Sequence, residues 1–144
     1  MTAKEYLLQI HDFDVEIGQD IQELERLEAE AENIKAIRYD QDRVNTSPEG
    51  DALMNAVIKI IEYEEKVGEK KLILIAKRLE IIKQIQELEN KMYSDLLFRR
   101  YVNYESLKSI AHDYGRQKKT IDNMHGRALT AFSDRFLKNR DKMG

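Results

Sequence analysis

The chain has 144 residues, which suits one domain or a small domain carried on an extended element. It contains no cysteine, which excludes disulfide frameworks and thiolate metal sites, and it shows neither a secretory signal nor a membrane span. We therefore expect a cytoplasmic protein. The single proline, the 35% of charged residues and the lack of apolar–polar alternation predict an all-α fold.

The net charge of −3 conceals a gradient along the chain. Residues 1–47 hold 5 Lys/Arg against 12 Asp/Glu, whereas residues 94–144 hold 11 against 6. A basic C-terminal third favours a nucleic-acid contact confined to that part of the chain. A basic tail that serves only solubility remains the alternative.

The first long helix is predicted from about Ala3 to Ile37. Apolar residues recur there at the a and d positions of a heptad, and Asp20 interrupts the second series; the apolar positions are Ile10, Ile17, Leu24, Ala31, Phe13, Leu27 and Ile34. Acidic side chains occupy the intervening positions. The pattern is typical of one long amphipathic helix.

Residues 39–51 contain the one clear break, in which Ser47 and Pro48 are typical of a helix start. A second helix is predicted from Pro48 to about Lys91. Its seam repeats every seven residues, at Ile60, Val67, Leu74, Ile81 and Leu88.

Two helices of similar length with a short connection predict a long, coiled-coil-like antiparallel hairpin over residues 1–91. The hairpin leaves apolar residues without an internal role, namely Ile58, Leu72, Ile73 and Leu79. We therefore predict a homo-oligomer, most simply a dimer formed through the long helices. The alternative is that the C-terminal part of the chain folds back over these residues.

Short helices follow in residues 92–144, which we predict to form a separate domain. Ser106 is a candidate cap for a helix holding Ile110 and Ala111, and Gly115 can adopt the left-handed conformation of a tight turn. A further helix begins near Gln117, with an apolar stripe at Ile121, Met124, Ala128, Ala131, Phe132 and Phe136. This spacing is typical of a helix-turn-helix, whose second helix lies in the DNA major groove.

Polar residues at the start of that second helix are candidates for contacts with double-stranded DNA. Lysine can donate to guanine and asparagine can bond adenine, so Lys118, Lys119 and Asn123 are the candidate base-reading residues. The candidate phosphate contacts are Arg99, Arg100, Arg116, Gln117, Thr120 and Arg127. An ordinary solvated helix face is the alternative.

Residues 109–132, SIAHDYGRQKKTIDNMHGRALTAF, resemble the fourth-region helix-turn-helix of primary bacterial sigma factors. The matching positions are Ile110, Ala111, Gly115, Ile121, Arg127, Ala128 and Leu129. The chain as a whole resembles sigma-like phage transcription regulators of the ArpU/RinA kind. The resemblance implies sequence-specific promoter binding in a bacterial host cell, with activation of phage genes. Contact with host RNA polymerase and dimerisation are the two open roles for the long hairpin. Arg116, Gln117 and Asp122 depart from the sigma pattern, so we expect a different target sequence.

An enzyme is the first competing class. The three histidines, His11, His112 and His125, share no metal-ligand spacing and fit surface positions better, and no nucleophile–base arrangement is evident. We therefore expect no catalysis, no metal and no cofactor. The stronger competitor is a coiled-coil adaptor that binds no DNA, which explains residues 1–91 equally well. We do not favour a membrane-surface role for the last helix, because its apolar stripe is already needed to form the core of the helix-turn-helix.

Overall fold

The computed structural model describes the backbone of residues 1–40 and 47–138, and the side chains of residues 1–37 and 50–138. No strand occurs in these ranges, so the all-α prediction is confirmed. Five α-helices follow one another: α1 (Ala3–Asp40), α2 (Ser47–Gln86), α3 (Lys91–Leu97), α4 (Leu107–Tyr114) and α5 (Lys118–Phe132). Two π-helical turns, Phe98–Val102 and Ser133–Leu137, continue α3 and α5.

Most of the heptad positions that the sequence predicts are buried, whereas Phe13, Leu24, Ile34 and Ile60 are half-buried. On α1 the buried positions include Ile10, Ile17, Leu27 and Ala31, and on α2 they include Val67, Leu74 and Ile81. Each of the valine, leucine and isoleucine side chains contributes about 1.5–3 kcal/mol when it is fully withdrawn from water. The seven-residue periodicity therefore identified the buried faces correctly.

Asp20, which interrupts the apolar series of α1, is buried and forms ion pairs with α2. Its carboxylate lies 2.7 Å from Lys70 Nζ and 3.6 Å from Lys66 Nζ, and Lys70 also reaches Glu16 at 2.7 Å. The hydrogen bond from Lys70 lowers the pKa of Asp20 below its usual value. A charge in the seam is tolerated here because it is paired, and a paired polar group can specify the register of two helices.

The contacts between α1 and α2 show the relative direction of the two helices within each compact unit of the chain. Contacts divide the chain into two units, Met1–Phe13 with Leu74–Gly144 and Asp14–Ile73. In the second unit Asp20 meets Lys66 and Glu16 meets Lys70. In the first unit Lys77 Nζ donates to Gln9 Oε1 (3.0 Å) and the Tyr6 hydroxyl donates to Gln84 Oε1 (2.7 Å). The two helices are thus antiparallel within each unit.

The first unit brings the start of α1 against the C-terminal helices. The rings of Tyr6 and Phe132 lie with centroids 5.7 Å apart, Phe136 lies 4.9 Å from Phe132, and His11 meets the Tyr104 ring edge-on at 5.2 Å. This contact was not anticipated from the sequence. The domain boundary between residues 91 and 92 divides the chain differently and stays a prediction.

The end of α2 differs from the prediction. We expected the helix to continue to about Lys91, but it ends at Gln86 and a short turn leads to α3. Asn90 begins the new helix, because its side chain accepts hydrogen bonds from the backbone N–H groups of Met92 (2.9 Å) and Tyr93 (3.2 Å). The predicted break at residues 39–51 is shorter in the structure, because α1 extends to Asp40 and α2 begins at Ser47. Residues 41–46 and the predicted cap by the Ser47 side chain lie outside the described residues.

Candidate nucleic-acid interface

The turn between α4 and α5 forms as the sequence predicts. Ser106 caps α4, with its hydroxyl accepting from the N–H of Ser109 at 3.1 Å. Gly115 ends the helix in the left-handed conformation, at φ 65° and ψ 34°. The Gly115 N–H donates to the carbonyl of His112, and the Arg116 N–H donates to that of Ala111. These bonds satisfy carbonyls that the helix end would otherwise leave unpaired, and they direct the chain into α5.

A small apolar core holds α3, α4 and α5 together. Leu96, Ile110, Ala111 and Ile121 are buried in it, and Leu107, Tyr114 and Met124 pack partly buried against them. Ala111 supplies a short side chain beside the turn, where larger ones would separate the helices. The angle between α4 and α5 therefore depends on this packing as well as on the Gly115 turn.

Arg99, which we predicted to contact phosphate, is held by two carboxylates within the fold. Its guanidinium makes a two-pronged contact with Glu105, at 2.9 and 2.8 Å, and also donates to Asp113. The hydrogen bonds to Glu105 and then Asp113 raise the pKa of Arg99, and Arg99 in turn lowers the pKa of Glu105. Because Asp113 lies near the end of α4 while Arg99 follows α3, this arginine links the two helices.

Arg100 and the aromatic pair beside it also have internal partners. The Arg100 guanidinium donates to the backbone carbonyl of Glu105 at 3.1 Å. The Tyr101 hydroxyl and His125 Nε2 lie 2.7 Å apart, so His125 is not the surface residue that we expected. Burial, followed by the positive charges of Arg100 and Lys4, lowers the pKa of His125, and burial raises the pKa of Tyr101 to about 12.

The outward face of α5 carries the remaining candidate residues. Lys118, Lys119, Thr120 and Asn123 are exposed, and Arg116 and Gln117 are exposed in the turn before them. Lys118 and Asp122 form an ion pair one helical turn apart, at 3.1 Å, so the ammonium of Lys118 is engaged within the helix. Lys119 and Asn123 stand four residues apart and so lie on one side of the helix.

A shallow groove runs along the same face, lined by Asp122, Asn123, Gly126, Arg127 and Thr130. Gly126 and Thr130 were not among the residues predicted from the sequence. Gly126 and Thr130 follow Asn123 by three and seven residues, a spacing that places all three on the same side of a helix. This spacing could have identified the two residues from the sequence. The Thr130 hydroxyl donates to the Gly126 carbonyl at 3.1 Å.

The charges of this region are unevenly paired. Three of its acidic residues have internal partners: Glu105 and Asp113 contact Arg99, and Asp95 accepts from the Tyr114 hydroxyl. By contrast Arg116, Lys119 and Arg127 form no ion pair within residues 1–37 and 50–138. Unneutralised positive charge therefore lies on the turn and on the exposed face of α5.

Metal-binding clusters and membrane-spanning helices are two further features to consider in the described parts of the chain. No group of three or more histidine, aspartate or glutamate side chains in these ranges could hold a metal ion. Among residues 1–40 and 47–138, none of the helices combines the length and the apolar character needed to cross a membrane. Comparison with protein-family models, with curated proteins and with solved structures finds no match to this chain.

Proposed function

We propose that this chain is a sequence-specific DNA-binding transcription regulator, in which α4 and α5 act as a helix-turn-helix and α5 enters the major groove. The observation that carries the proposal concerns three cations that form no ion pair within the described residues: Arg116 at the left-handed Gly115 turn, and Lys119 and Arg127 on the exposed face of α5. A duplex presents a dense array of phosphates, which such a surface attracts. The second helix of a helix-turn-helix presents its N-terminal residues to the bases.

The surroundings of each residue refine the roles in this proposal. Lys119 and Asn123 are the base-reading pair, because both are exposed on one side of α5 and no carboxylate among the described residues holds either of them. Lys118 serves as a weaker base contact, since it must first leave Asp122. Arg116 and Arg127 contact phosphates, with Gln117 and Thr120 donating beside them.

Two of the predicted phosphate contacts take a different role in the proposal. Arg99 is a structural residue that holds α3 to α4, because Nε and Nη2 of its guanidinium already donate to two carboxylates. Arg100 keeps a backbone carbonyl as its partner, so it reaches phosphate only with its remaining donors.

The remaining chain completes the proposed architecture. Residues 1–91 form a long antiparallel hairpin that carries the DNA-binding residues 92–144. The resemblance to phage regulators of the ArpU/RinA kind supports promoter activation, and the hairpin is the candidate surface for host RNA polymerase. A cofactor has no part in this proposal.

The electrostatic part of the proposal is tested by binding of the full chain to random-sequence duplex at several salt concentrations. The slope of log affinity against log salt is negative, and each lost phosphate contact reduces its magnitude by about 0.9. We expect this reduction for Arg127→Gln, and no reduction for Lys59→Gln, which removes the same charge from α2. Equal slopes for wild type and both variants would contradict the proposed phosphate contact at Arg127.

A coiled-coil adaptor without DNA binding is the second candidate, and exposed apolar residues on α2, including Leu72 and Leu79, favour it. The two candidates differ in one observable. An adaptor would show no measurable affinity for duplex at low salt, while remaining folded and helical.

A further inference from the structure

Asp122 is the one acidic side chain of α5, and it lies on the face that the proposed function assigns to DNA. The lysines and the arginine of Lys118–Phe132 are all basic neighbours of it. Asp122 lines the same groove as Asn123 and Arg127, and its side chain is 43% exposed. A carboxylate on such a surface repels the phosphates of a duplex of any sequence. A surface that only held phosphates would therefore gain nothing from this residue.

The fold gives little reason for a carboxylate at this position. Glu105 and Asp113 hold Arg99 and so connect separate elements of the fold. The ion pair of Asp122 is instead with Lys118, one turn earlier in the same helix, and its two oxygens lie 3.1 and 3.4 Å from Nζ. An exposed pair of this kind contributes little to stability.

The carboxylate of Asp122 can accept further hydrogen bonds while it contacts Lys118. Its two oxygens offer about four acceptor positions, and the ionised group has no donor. In the major groove guanine and thymine present acceptors, which repel a carboxylate. Adenine presents its amino group beside the N7 acceptor, whereas cytosine presents its amino group alone. Cytosine is therefore the base whose edge fits this side chain best.

Lys118 makes the arrangement less costly. Its ammonium offsets part of the repulsion between the carboxylate and the phosphates, because opposite charges lie 3.1 Å apart. The ion pair also limits the orientations of the Asp122 side chain, so that less conformational freedom is lost on binding.

We propose that Asp122 reads cytosine, with its carboxylate accepting a hydrogen bond from the 4-amino group in the major groove. This inference rests on the proposed DNA-binding function and adds a specificity-determining residue to it. Asp122 also acts against other sequences, because guanine or thymine at the same position places acceptors against the carboxylate.

Selection of bound sequences from a random duplex pool with the full chain identifies the base. We expect one motif position that holds cytosine with the wild type and loses this preference with Asp122→Ala. Asp122→Asn should favour adenine there, since an amide can bond adenine in two places. Identical preferences for the wild type and both variants would overturn the reading by Asp122 and leave the proposed function intact. Recovery of no motif by the folded wild type would contradict both.

Affinities for the selected duplex and for random-sequence duplex provide a second test, through the sign of the change. Loss of an acidic charge should strengthen binding to both duplexes if Asp122 acts through its charge alone. We expect Asp122→Ala to strengthen binding to random duplex and to weaken binding to the selected duplex about tenfold, because a hydrogen bond to a charged group is lost. Stronger binding to both duplexes would overturn the proposal.

Asp134 offers a matched control. It is also exposed and pairs with a lysine one turn away, Lys138 at 2.7 Å, but it follows α5. Asp134→Ala should therefore change both affinities in the same direction. Circular dichroism should show unchanged helix content for the Asp122 and Asp134 variants, since both side chains are exposed. Opposite changes with Asp134→Ala as well would show that the effect is not specific to Asp122 and would overturn its assignment.

Discussion

Gly115 and Gly126 offer a matched test of the turn on which the proposed helix-turn-helix depends. A Cβ added at either glycine meets no atom within 4 Å, so crowding does not distinguish them. Gly115 has φ 65°, whereas Gly126 lies within α5. The two substitutions by alanine therefore differ mainly in backbone conformation.

The expected effects have opposite signs. Alanine in the left-handed conformation costs about 1–2 kcal/mol, and the reduced entropy of the unfolded chain returns about 0.4–1 kcal/mol. Gly115→Ala should therefore destabilise by about 1 kcal/mol. Gly126→Ala should stabilise by about 0.8–1.0 kcal/mol, which is the preference for alanine inside a helix.

Urea unfolding at one fixed protein concentration, followed by circular dichroism and tyrosine fluorescence, measures both changes. Gly115→Val should be less stable than Gly115→Ala, because a β-branched side chain resists positive φ. Gly115→Asn should be more stable than Gly115→Ala, because asparagine tolerates positive φ. Equal shifts in the same direction for Gly115→Ala and Gly126→Ala would refute the assignment of the turn to the backbone of Gly115.

Three further substitutions test the packing beside the interface. Arg99→Lys keeps the charge but loses the two-pronged contact, so we expect a lower thermal midpoint with little change in DNA affinity; the reverse pattern would make Arg99 a phosphate contact. Phe132→Ala should cost about 3–5 kcal/mol in urea unfolding, because the ring is buried against Tyr6, and a loss below about 1 kcal/mol would contradict that packing. Burial and the charge of Arg100 lower the pKa of His125 in the folded chain. The unfolded chain therefore binds a proton at His125 more readily than the folded chain, and the free energy of unfolding should fall as the pH drops below 6.5. His125→Gln should weaken that pH dependence, and an unchanged pH profile would argue against a lowered pKa of His125 in the folded chain.

Features set by neighbouring residues could be predicted from the sequence. The left-handed turn at Gly115 and the Ser106 cap depend on residues within one turn of helix, and both are confirmed. The buried positions of α1 and α2 were predicted because burial of one helix face imposes a seven-residue period. The same period misled at the end of α2: Leu88 continues it and is buried, although the helix ends at Gln86. The capping residue Asn90 indicates the start of a new helix, and a seven-residue period contains no information about such a cap.

Contacts between distant residues could not be predicted in this way. Tyr6 and Phe132 lie at opposite ends of the chain, and no local pattern indicates that their rings meet. We predicted Arg99 to contact phosphate because the sequence shows its charge but does not show which carboxylates it meets in the fold. Asp113 reaches it only after the chain has turned through α4. Candidate binding residues are thus recognisable by type, while their availability depends on which carboxylates the fold brings to them.

Selection of bound sequences from a random duplex pool, with the full chain at near-physiological salt, tests the proposed function most directly. We predict a recurrent motif, and we predict that Asn123→Ala and Lys119→Ala each weaken binding to it by about 1–3 kcal/mol while leaving random duplex nearly unaffected. Equal losses on both kinds of duplex would show that these two residues contact only phosphates. Recovery of no motif by a folded, helical protein would contradict sequence-specific recognition.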